Sequence, residues 1–426
     1  MGEVCFIIIS PAPPAVKFLL RCTKYQFPFL LSMRKTLALL SLSLGLVVGF
    51  PSAPTFAKMP LQSVNQAKVN PPSSQEDLLG LDDQLWGNLN QAGDRQALLA
   101  SIDNSLRYLK TAQSARVYQN YQVPGITRSR VLRSLVRFRS LVVSSNSPQE
   151  LQDAVRREFA FYQSVGNDDK GTVVFTAYYE PTYSASRTRT AEYRYPLYRL
   201  PKNFSKWQKP QPTRAQLEGN DGLPGGKSPL RGLELVWMRD RMEAFLVQIE
   251  GSARLQLTDG TEMTVGYAGK TDYAYTSIGK ELAKDGKLPL SGLTLPVMLK
   301  YFNENPTELN NYLPRNRGFV FFRETHGAPA MGSINVPVTA ERSIATDKSL
   351  MPPGALALIN THVPYPNATG QMEHRLVSRY VLDQDTGSAI KGPGRVDYYL
   401  GTGTQVGDRA GVTGGPGQLY YLLLKE

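Results

Sequence analysis

Cysteine is nearly absent from this chain, and histidine is scarce. Of 426 residues, two are cysteines and three are histidines. Cys5 and Cys22 precede the globular patterning, so we expect no disulfide, thiolate nucleophile or cysteine-bound metal in the folded part. His326, His362 and His374 lack metal-site spacing, and no Gly-x-Ser-x-Gly elbow is present. The chemistry of the chain must therefore rest mainly on carboxylates, hydroxyls and amides.

Long hydrophobic runs are also lacking, apart from one segment near the N-terminus. Residues 33–35 are a basic start, residues 37–50 are apolar, and Thr55 and Ala57 are small residues at the −3 and −1 positions of a possible cleavage site. This is the pattern of a secretory signal peptide, and its apolar run is short for a membrane span. We expect residues 1–57 to be an upstream extension plus signal peptide, with export to the periplasm or cell envelope. A retained membrane anchor is the alternative, and no cysteine follows the run to carry a lipid.

The overall composition is that of a globular chain with excess positive charge. Hydrophobic residues are 41% and charged residues 20%, which excludes a wholly disordered chain. The formal charge of +12 favours an anionic partner. The basic residues are scattered rather than clustered, so we do not expect nucleic-acid binding.

The hydrophobic periodicity changes near Gly166, from helical to β. Residues 58–76 are interpreted as a flexible leader. Helical spacing predicts one helix at 98–109, behind a cap at Asp94, and a second at 131–138. A third helix is predicted to begin at the capping box 147–150 and to run through Phe159 and Tyr162. Helices are also predicted at 275–284 and 295–303. Short strands, which favour a barrel or sandwich, are predicted at 172–179, 244–250, 253–258 (paired in a hairpin with 262–267), 318–323, 355–360, 375–382, 396–400 and 418–424.

The strongest local signal for chemistry is the segment 380–403. It holds Asp383, Asp385 and Asp397 among small residues that let a ligand approach the backbone. Its apolar and aromatic neighbours would desolvate a carboxyl group and raise its pKa, as a general acid near neutral pH requires. Spacing alone nevertheless favours aspartates that cap turns.

Two other motifs in this region suggest different chemistry. Residues 385–388 match the Asp-Thr-Gly-Ser signature of aspartic proteases, but those enzymes need two aspartates and the chain has one copy. Gly401 and Gly403 with Gly407 do not form Gly-x-Gly-x-x-Gly. Because no helix is predicted after them, we do not expect a nucleotide site.

Eight segments from about Thr172 onward follow one another as they do in a known bacterial family, at residues 175–181, 245–252, 266–269, 275–280, 316–324, 342–354, 385–392 and 407–411. In these segments the chain resembles the membrane-bound lytic murein transglycosylase A family. The C-terminal part resembles the 3D domain, named for three aspartates that fall here on Asp347, Asp385 and Asp397.

The sequence departs from the family pattern at several positions. Glu250 stands where glutamine is usual, Ala253 and Ser388 stand where glycine is usual, and residues 271–272 replace Asn-Gly. The lipid-anchored cysteine of many members is absent. The Glu250 change puts one sugar contact in doubt.

The resemblance implies a mainly β fold with N-terminal helices, in which a double-psi β-barrel domain carries an inserted second small β domain. The expected boundaries are 77–181 for the helices and first barrel strand, 182–320 for the insert, and 321–426 for the 3D domain that completes the barrel. A glycan would lie in the groove between the two.

The resemblance also implies an activity, that of a carbon-oxygen lyase on peptidoglycan. The enzyme would cleave the β-1,4 bond between N-acetylmuramic acid and N-acetylglucosamine and form 1,6-anhydromuramic ends. Asp397 would be the catalytic acid and base, supported by Asp385 and Asp347. The implied substrate contacts are Thr176, Tyr178, Gly251, Ser252 and Lys391.

The implied partners are peptidoglycan glycan strands, with other cell-wall enzymes as further candidates. No metal, cofactor or nucleic acid is required. A peptidoglycan-binding module without catalysis is the main alternative, and an aspartic-type hydrolase is the second.

Overall fold

The computed structural model describes residues 59–64, 79–88, 91–226 and 228–426. The predicted signal peptide, its cleavage site and both cysteines lie outside these residues. Of the predicted leader, residues 59–64 are described, and residues 61–64 form a strand in which Leu61 is buried. The expectation of a wholly flexible leader is therefore wrong for these four residues, because a neighbouring strand pairs with them.

Helices and strands alternate through the described chain. The helices are α1 (Arg95–Leu109), α2 (Ala112–Gln119), α3 (Arg128–Ser144), α4 (Pro148–Glu158), α5 (Arg214–Glu218), α6 (Arg241–Glu250), α7 (Ile278–Lys284), α8 (Leu295–Glu304), α9 (Leu309–Tyr312) and α10 (Thr404–Val412). The strands are β1 (Leu61–Val64), β2 (Gly87–Asn88), β3 (Gln91–Ala92), β4 (Phe159–Ser164), β5 (Val173–Glu180), β6 (Thr182–Ser186), β7 (Tyr195–Tyr198), β8 (Glu234–Met238), β9 (Ser252–Leu257), β10 (Glu262–Lys270), β11 (Val320–Glu324), β12 (Ser343–Ala345), β13 (Leu356–Pro366), β14 (Met372–Asp385), β15 (Arg395–Thr402) and β16 (Gly414–Leu424).

Six strands of the described chain close into a barrel. Their order is β16, β13, β14, β12, β15 and β5, and β5 pairs again with β16. Most pairs are antiparallel, but β15 runs parallel to β5 and β12 runs parallel to β14. β4 and β1 extend the sheet beside β16. Because β5 precedes the second sheet in sequence and the other barrel strands follow it, the barrel joins two distant parts of the chain.

The second sheet is built from the chain between the two parts of the barrel. Its strand order is β11, β10, β9, β6, β8 and β7, and the predicted hairpin of β9 and β10 is confirmed. Val236, Val247, Leu255 and Val265 form part of its core, and each is at most 1% exposed. The expectation of a mainly β fold is confirmed, with a closed barrel and some helices.

Helices α1, α3 and α4 pack over the barrel. Leu98, Ile102, Leu135 and Phe138 are fully buried there, as their helical spacing predicts. Ser147 caps α4 by accepting the backbone N–H of Glu150 at 3.1 Å.

The prediction that this helix continues through Phe159 and Tyr162 is wrong. Helix α4 ends at Glu158, and the aromatic run that follows is strand β4, paired with β16. Pairing with a strand from the far end of the chain thus overrides the local helical pattern.

The predicted strand at 244–250 is instead most of helix α6. Asp240 caps this helix by accepting the backbone N–H of Glu243 at 3.0 Å, and Gly251 ends it with φ +83°. Residues 244–248 are all buried, so the sequence shows a continuous apolar run instead of a helical period.

Two smaller expectations are also corrected. Asp94 precedes α1 but makes no cap hydrogen bond, because its carboxylate binds the buried guanidinium of Arg342 instead. A helix, α10, does follow Gly403, although the glycine spacing still differs from a nucleotide-binding loop. Among the described residues, no helix is long and apolar enough to cross a membrane.

Candidate active site

Asp397 lies in a row of side chains that crosses four barrel strands. Ala345 on β12 is the register partner of both Asp385 on β14 and Asp397 on β15, and Asp397 is opposite Thr176 on β5. Register partners in a sheet point to the same face. The two aspartates are therefore two strands apart, roughly 10 Å between their Cα atoms.

Thr176 and Arg395 set the polar environment of Asp397. The Thr176 hydroxyl donates to Asp397 Oδ1 at 2.6 Å and accepts from Arg395 Nη2 at 2.9 Å. Burial raises the pKa of Asp397, Asp385 raises it further, and Thr176 and Arg395 oppose the rise. The net shift is upward, so the proton stays on this carboxyl group at higher pH than on a free aspartic acid.

Asp385 is held more tightly than Asp397. Its Oδ1 accepts the backbone N–H groups of Ser333 at 2.9 Å and Thr386 at 2.8 Å, and Tyr178 Oη donates to its Oδ2 at 2.9 Å. Burial nevertheless raises the pKa of Asp385. By contrast, within the described residues Asp397 accepts one hydrogen bond, from the Thr176 hydroxyl to Oδ1. Its other carboxyl oxygen is therefore left for a ligand.

Asp347 fastens the loop between β14 and β15. Its Oδ2 accepts the backbone N–H of Gly392 at 2.9 Å, and its Oδ1 accepts the Ser349 hydroxyl at 2.7 Å. Burial favours a raised pKa, but these bonds and the charge of Lys391 outweigh it, and the pKa of Asp347 is lowered. Asp347 is thus an ionised anchor for the loop that carries Lys391.

A groove with a volume of about 1140 Å³ separates the barrel from the second sheet. Both sides contribute polar and aromatic side chains. From the barrel side come Thr176, Tyr178, Asp385, Lys391, Arg395 and Asp397, and from the other side come Gln248, Glu250, Lys270, Tyr273, Tyr275, Lys280 and Asn316. Burial, followed by the charge of Lys391, lowers the pKa of Lys270. The two ammonium groups therefore repel each other across the groove.

Glu250 is a second carboxyl group in this groove. It is the last residue of α6, and its Oε2 accepts the backbone N–H of Tyr179 at 3.2 Å. Burial, with a smaller contribution from the charge of Asp397, raises the pKa of Glu250 to about 8.

The structure brings most of the sequence-predicted site residues together. Asp397, Asp385, Thr176, Tyr178 and Lys391 all line the groove. The other three predicted residues, all within the described chain, are not part of the lining. Asp347 lies behind the loop, Gly251 ends α6 and Ser252 begins β9.

Sequence reasoning missed some residues of the groove. Arg395 could have been found, because it lies two residues before Asp397 and immediately before the predicted strand 396–400, and the observed strand includes it, so the two side chains share a face. Glu250 was noted only as a departure from the family. Tyr275 and Lys270 carry no local signal.

No group of three or more His, Cys, Asp or Glu side chains in the described part of the chain is arranged to hold a metal ion. The groove does contain what acid–base chemistry on a polar ligand needs. One carboxyl group with a raised pKa has a free oxygen, and hydroxyl, amide and ammonium groups surround it.

Comparisons with known proteins show which families the chain resembles. The model of the MltA specific insert domain matches residues 174–323, and that of the 3D domain matches residues 342–423. Membrane-bound lytic murein transglycosylase A of Escherichia coli K12 is 32% identical over 253 residues, which are 59% of this chain and 65% of that protein. The match thus spans less than two thirds of this curated relative.

Two solved structures share the fold. The membrane-bound lytic murein transglycosylase of Agrobacterium tumefaciens is 26% identical with a TM-score of 0.62, and the match covers 83% of this chain and 96% of that one. The E. coli MltA structure with bound chitohexaose is 27% identical with a TM-score of 0.63, covering 86% and 95%.

The fold and both domain matches make the chain similar to the lytic murein transglycosylases named above. The chain belongs to the MltA family and carries its 3D domain.

Proposed function

We propose that this protein is a lytic transglycosylase that cleaves the β-1,4 bond between N-acetylmuramic acid and N-acetylglucosamine. One observation carries the proposal. Asp397, with a raised pKa and a free oxygen, lines a groove large enough for several sugar rings. The family membership and the chitohexaose bound to the E. coli relative support the choice of a glycan as ligand.

The reaction needs one carboxyl group that acts twice. Protonated Asp397 donates its proton to the glycosidic oxygen as the bond from this oxygen to the muramoyl C1 breaks. The muramoyl C6 hydroxyl then bonds to C1 and closes the 1,6-anhydro ring, and its proton returns to the Asp397 carboxylate. No water is consumed, and the nucleophile belongs to the same sugar, which makes the attack effectively intramolecular.

The neighbours of Asp397 support each stage. The raised pKa keeps the acid protonated before the first step. Once the proton has left, the Thr176 hydroxyl and the Arg395 charge stabilise the carboxylate so that it can act as the base. Asp385 is less suited to this role because three donors already occupy its oxygens.

The two sides of the groove suit a polymer with carboxylate groups. Lys270, Lys280 and Lys391 line it beside Asp397, and Tyr273 and Tyr275 provide aromatic faces for sugar rings. Peptidoglycan carries lactyl and peptide carboxylates, which the lysines would attract. Tyr178 and Lys391 remain the strongest candidates for direct contacts.

The closed barrel is proposed to be a double-psi barrel. Its mixture of parallel and antiparallel pairs, with β5 supplied from before the insert, supports this description. The proposed domains are 77–181 and 321–426 for the barrel with its helices, and 182–320 for the insert. Residues 33–57, which follow an upstream extension of residues 1–32, are proposed to be the signal peptide that directs export to the periplasm or cell envelope, and N-terminal sequencing of the mature protein should then begin at Lys58. A mature chain that still holds residues 33–57 would overturn this.

The Asp397→Asn variant tests the function. It keeps the size of the side chain and accepts the Thr176 bond, but it cannot cycle a proton. We expect the release of anhydro-muropeptides from purified peptidoglycan to fall by more than about tenfold, while binding to insoluble wall persists. A wild-type protein that binds wall but releases no product would instead be a binding module.

A further inference from the structure

A buried arginine organises the wall of the groove on the side of the second sheet. Arg214, the first residue of α5, is 1% exposed, and its guanidinium lies over the rings of Phe245 at 4.9 Å and Phe319 at 5.3 Å. Its Nε donates to the backbone carbonyl of Asn316 at 3.0 Å, and its Nη2 donates to Gln248 Oε1 at 2.9 Å. Arg214 thus holds in place two residues that line the groove, Gln248 and Asn316.

The side-chain amide of Gln248 has one orientation that satisfies its neighbours. Its oxygen accepts from Arg214 and also from the backbone N–H of Val320 at 3.2 Å. Both neighbours are donors that cannot accept, so the oxygen faces them and Nε2 points away. No described residue accepts a hydrogen bond from Nε2, and the protein does not enclose this nitrogen. Gln248, which is 6% exposed, therefore presents its two N–H donors to the groove.

Asn316 provides a second amide on the same wall. It lies shortly before β11, is 4% exposed and lines the groove. Its backbone carbonyl accepts from Arg214 and its backbone N–H donates to Leu313, but no described residue forms a hydrogen bond with its side-chain amide. Two buried amides without internal partners are suited to a ligand that offers both an acceptor and a donor.

We propose that Gln248 and Asn316 form a recognition site for the acetamido group of a sugar, which makes the groove selective for N-acetylated glycans. This inference rests on the proposed transglycosylase activity. The Gln248 N–H donors bind the acetyl carbonyl, and the Asn316 side-chain oxygen accepts the acetamido N–H. Val320, whose backbone fixes the Gln248 oxygen, also lines the groove and offers an apolar contact for the acetyl methyl group.

The acetamido group fits this wall better than the other polar groups of a glycan. It carries an acceptor, a donor and a methyl group on one short unit, which matches two amides beside an apolar residue. A sugar hydroxyl lacks the apolar part, and a carboxylate has no N–H to donate to Asn316. Because a buried donor that stays unpaired on binding is costly, the site discriminates against sugars without the acetyl group.

The test compares chitohexaose, in which every sugar has an acetamido group, with cellohexaose, in which each has a hydroxyl at that position. Wild type should bind chitohexaose more tightly. Gln248→Glu keeps an oxygen for Arg214 and Val320 but turns the groove side of the residue from donor to acceptor. We expect its Kd for chitohexaose, measured by isothermal titration calorimetry, to rise by about 10–100-fold. Its Kd for cellohexaose should change by less than about threefold, and the ratio of the two changes removes contributions from the rest of the groove.

Two further variants complete the design. Gln113→Glu is the matched control, because it makes the same charge change at an exposed position of α2 outside the groove lining. Its affinities should equal those of wild type. Asn316→Ala removes no side-chain hydrogen bond made within the described residues, so the fold should be retained, and we expect the same selective loss for chitohexaose. If Gln248→Glu does not fold, Asn316→Ala decides alone.

The outcomes separate the inference from the proposed function. A wild type without a preference for chitohexaose, or a folded Gln248→Glu or Asn316→Ala variant that binds it as wild type does, would overturn the inference. Equal losses for both ligands would also overturn it, because the amides would then contact a group that both ligands share. A wild type that shows the preference but releases no anhydro-muropeptides from peptidoglycan would support the recognition site and refute the proposed function.

Discussion

The Thr176 hydroxyl bridges Arg395 and Asp397. It donates one hydrogen bond to the carboxyl group and accepts one from the guanidinium, so it orients both. Because Thr176 stabilises the charged form of Asp397, it matters most after the acid has given up its proton.

Replacing this hydroxyl should therefore slow the base step. We expect Thr176→Val to lower kcat by roughly 10–100-fold, since the carboxylate loses its orienting donor. It should also move the alkaline limb of the pH profile upward, because removing a donor to the carboxylate raises the pKa of Asp397. Steady-state kinetics across pH measure both effects. Thr182→Val, at an exposed position that begins β6, is the control. An unchanged kcat and profile for Thr176→Val would contradict the role.

Much of the candidate site could be predicted from single residues of the sequence, but the family resemblance contributed more than physical arguments from residue spacing. Asp385 and Asp397 were singled out by their family motif, while spacing alone favoured turn aspartates. In the structure, register places the two aspartates on the same face of the barrel sheet, since Ala345 on β12 is opposite both. Such pairing between distant segments has no local signal. The presence of Glu250 in the same groove as Asp397 also has no local signal, because it depends on how the second sheet and its helices pack against the barrel.

At the scale of elements, helix α6 gives the clearest misassignment. Its apolar run is buried on nearly every side, and a fully buried helix and a fully buried strand look alike in sequence. The signals that separate them were present at its ends, in the capping residue Asp240 and in Gly251. Helix α10 was missed because Gly407 and Gly411 lower its helix propensity.

Gly251 was predicted as a substrate contact, and the structure gives it a conformational role. Its φ of +83° is a left-handed conformation that costs other residues about 1–2 kcal/mol. No atom lies within 4 Å of an added Cβ, so Gly251→Ala should lower the free energy of unfolding by this amount through the backbone alone. Urea denaturation measures it. Gly225→Ala is the control, because that position is equally open and lacks a positive φ. Equal stabilities for the two variants would refute the account.

At the scale of the whole molecule, a buried ionic cluster ties the segment before α1 to the barrel. Arg342 is fully buried and binds Asp82 and Asp94, and Arg379 also contacts Asp82. This segment is far from the barrel strands in sequence, so the cluster determines how the helical part sits on the β part. The sequence does not predict it, because the partners are more than 240 residues apart.

Breaking this cluster should destabilise the entire fold. Arg342→Ala leaves two carboxylates without their main partner in a buried place, which typically costs about 3–5 kcal/mol. The exposed pair of Arg187 and Asp259 provides the comparison, since Arg187→Ala should cost at most about 1 kcal/mol. Urea unfolding monitored by fluorescence gives both values. If the two variants were equally stable, the cluster would not hold the molecule together.

The central claim is that one carboxyl group completes the reaction because the nucleophile comes from the sugar. Digestion of purified peptidoglycan in heavy-oxygen water, followed by mass spectrometry of the released muropeptides, tests this most directly. The account predicts 1,6-anhydromuramic ends that carry no solvent oxygen, lost together with activity in Asp397→Asn. Heavy oxygen at the new muramic C1 would mean that water attacks, and it would contradict the mechanism.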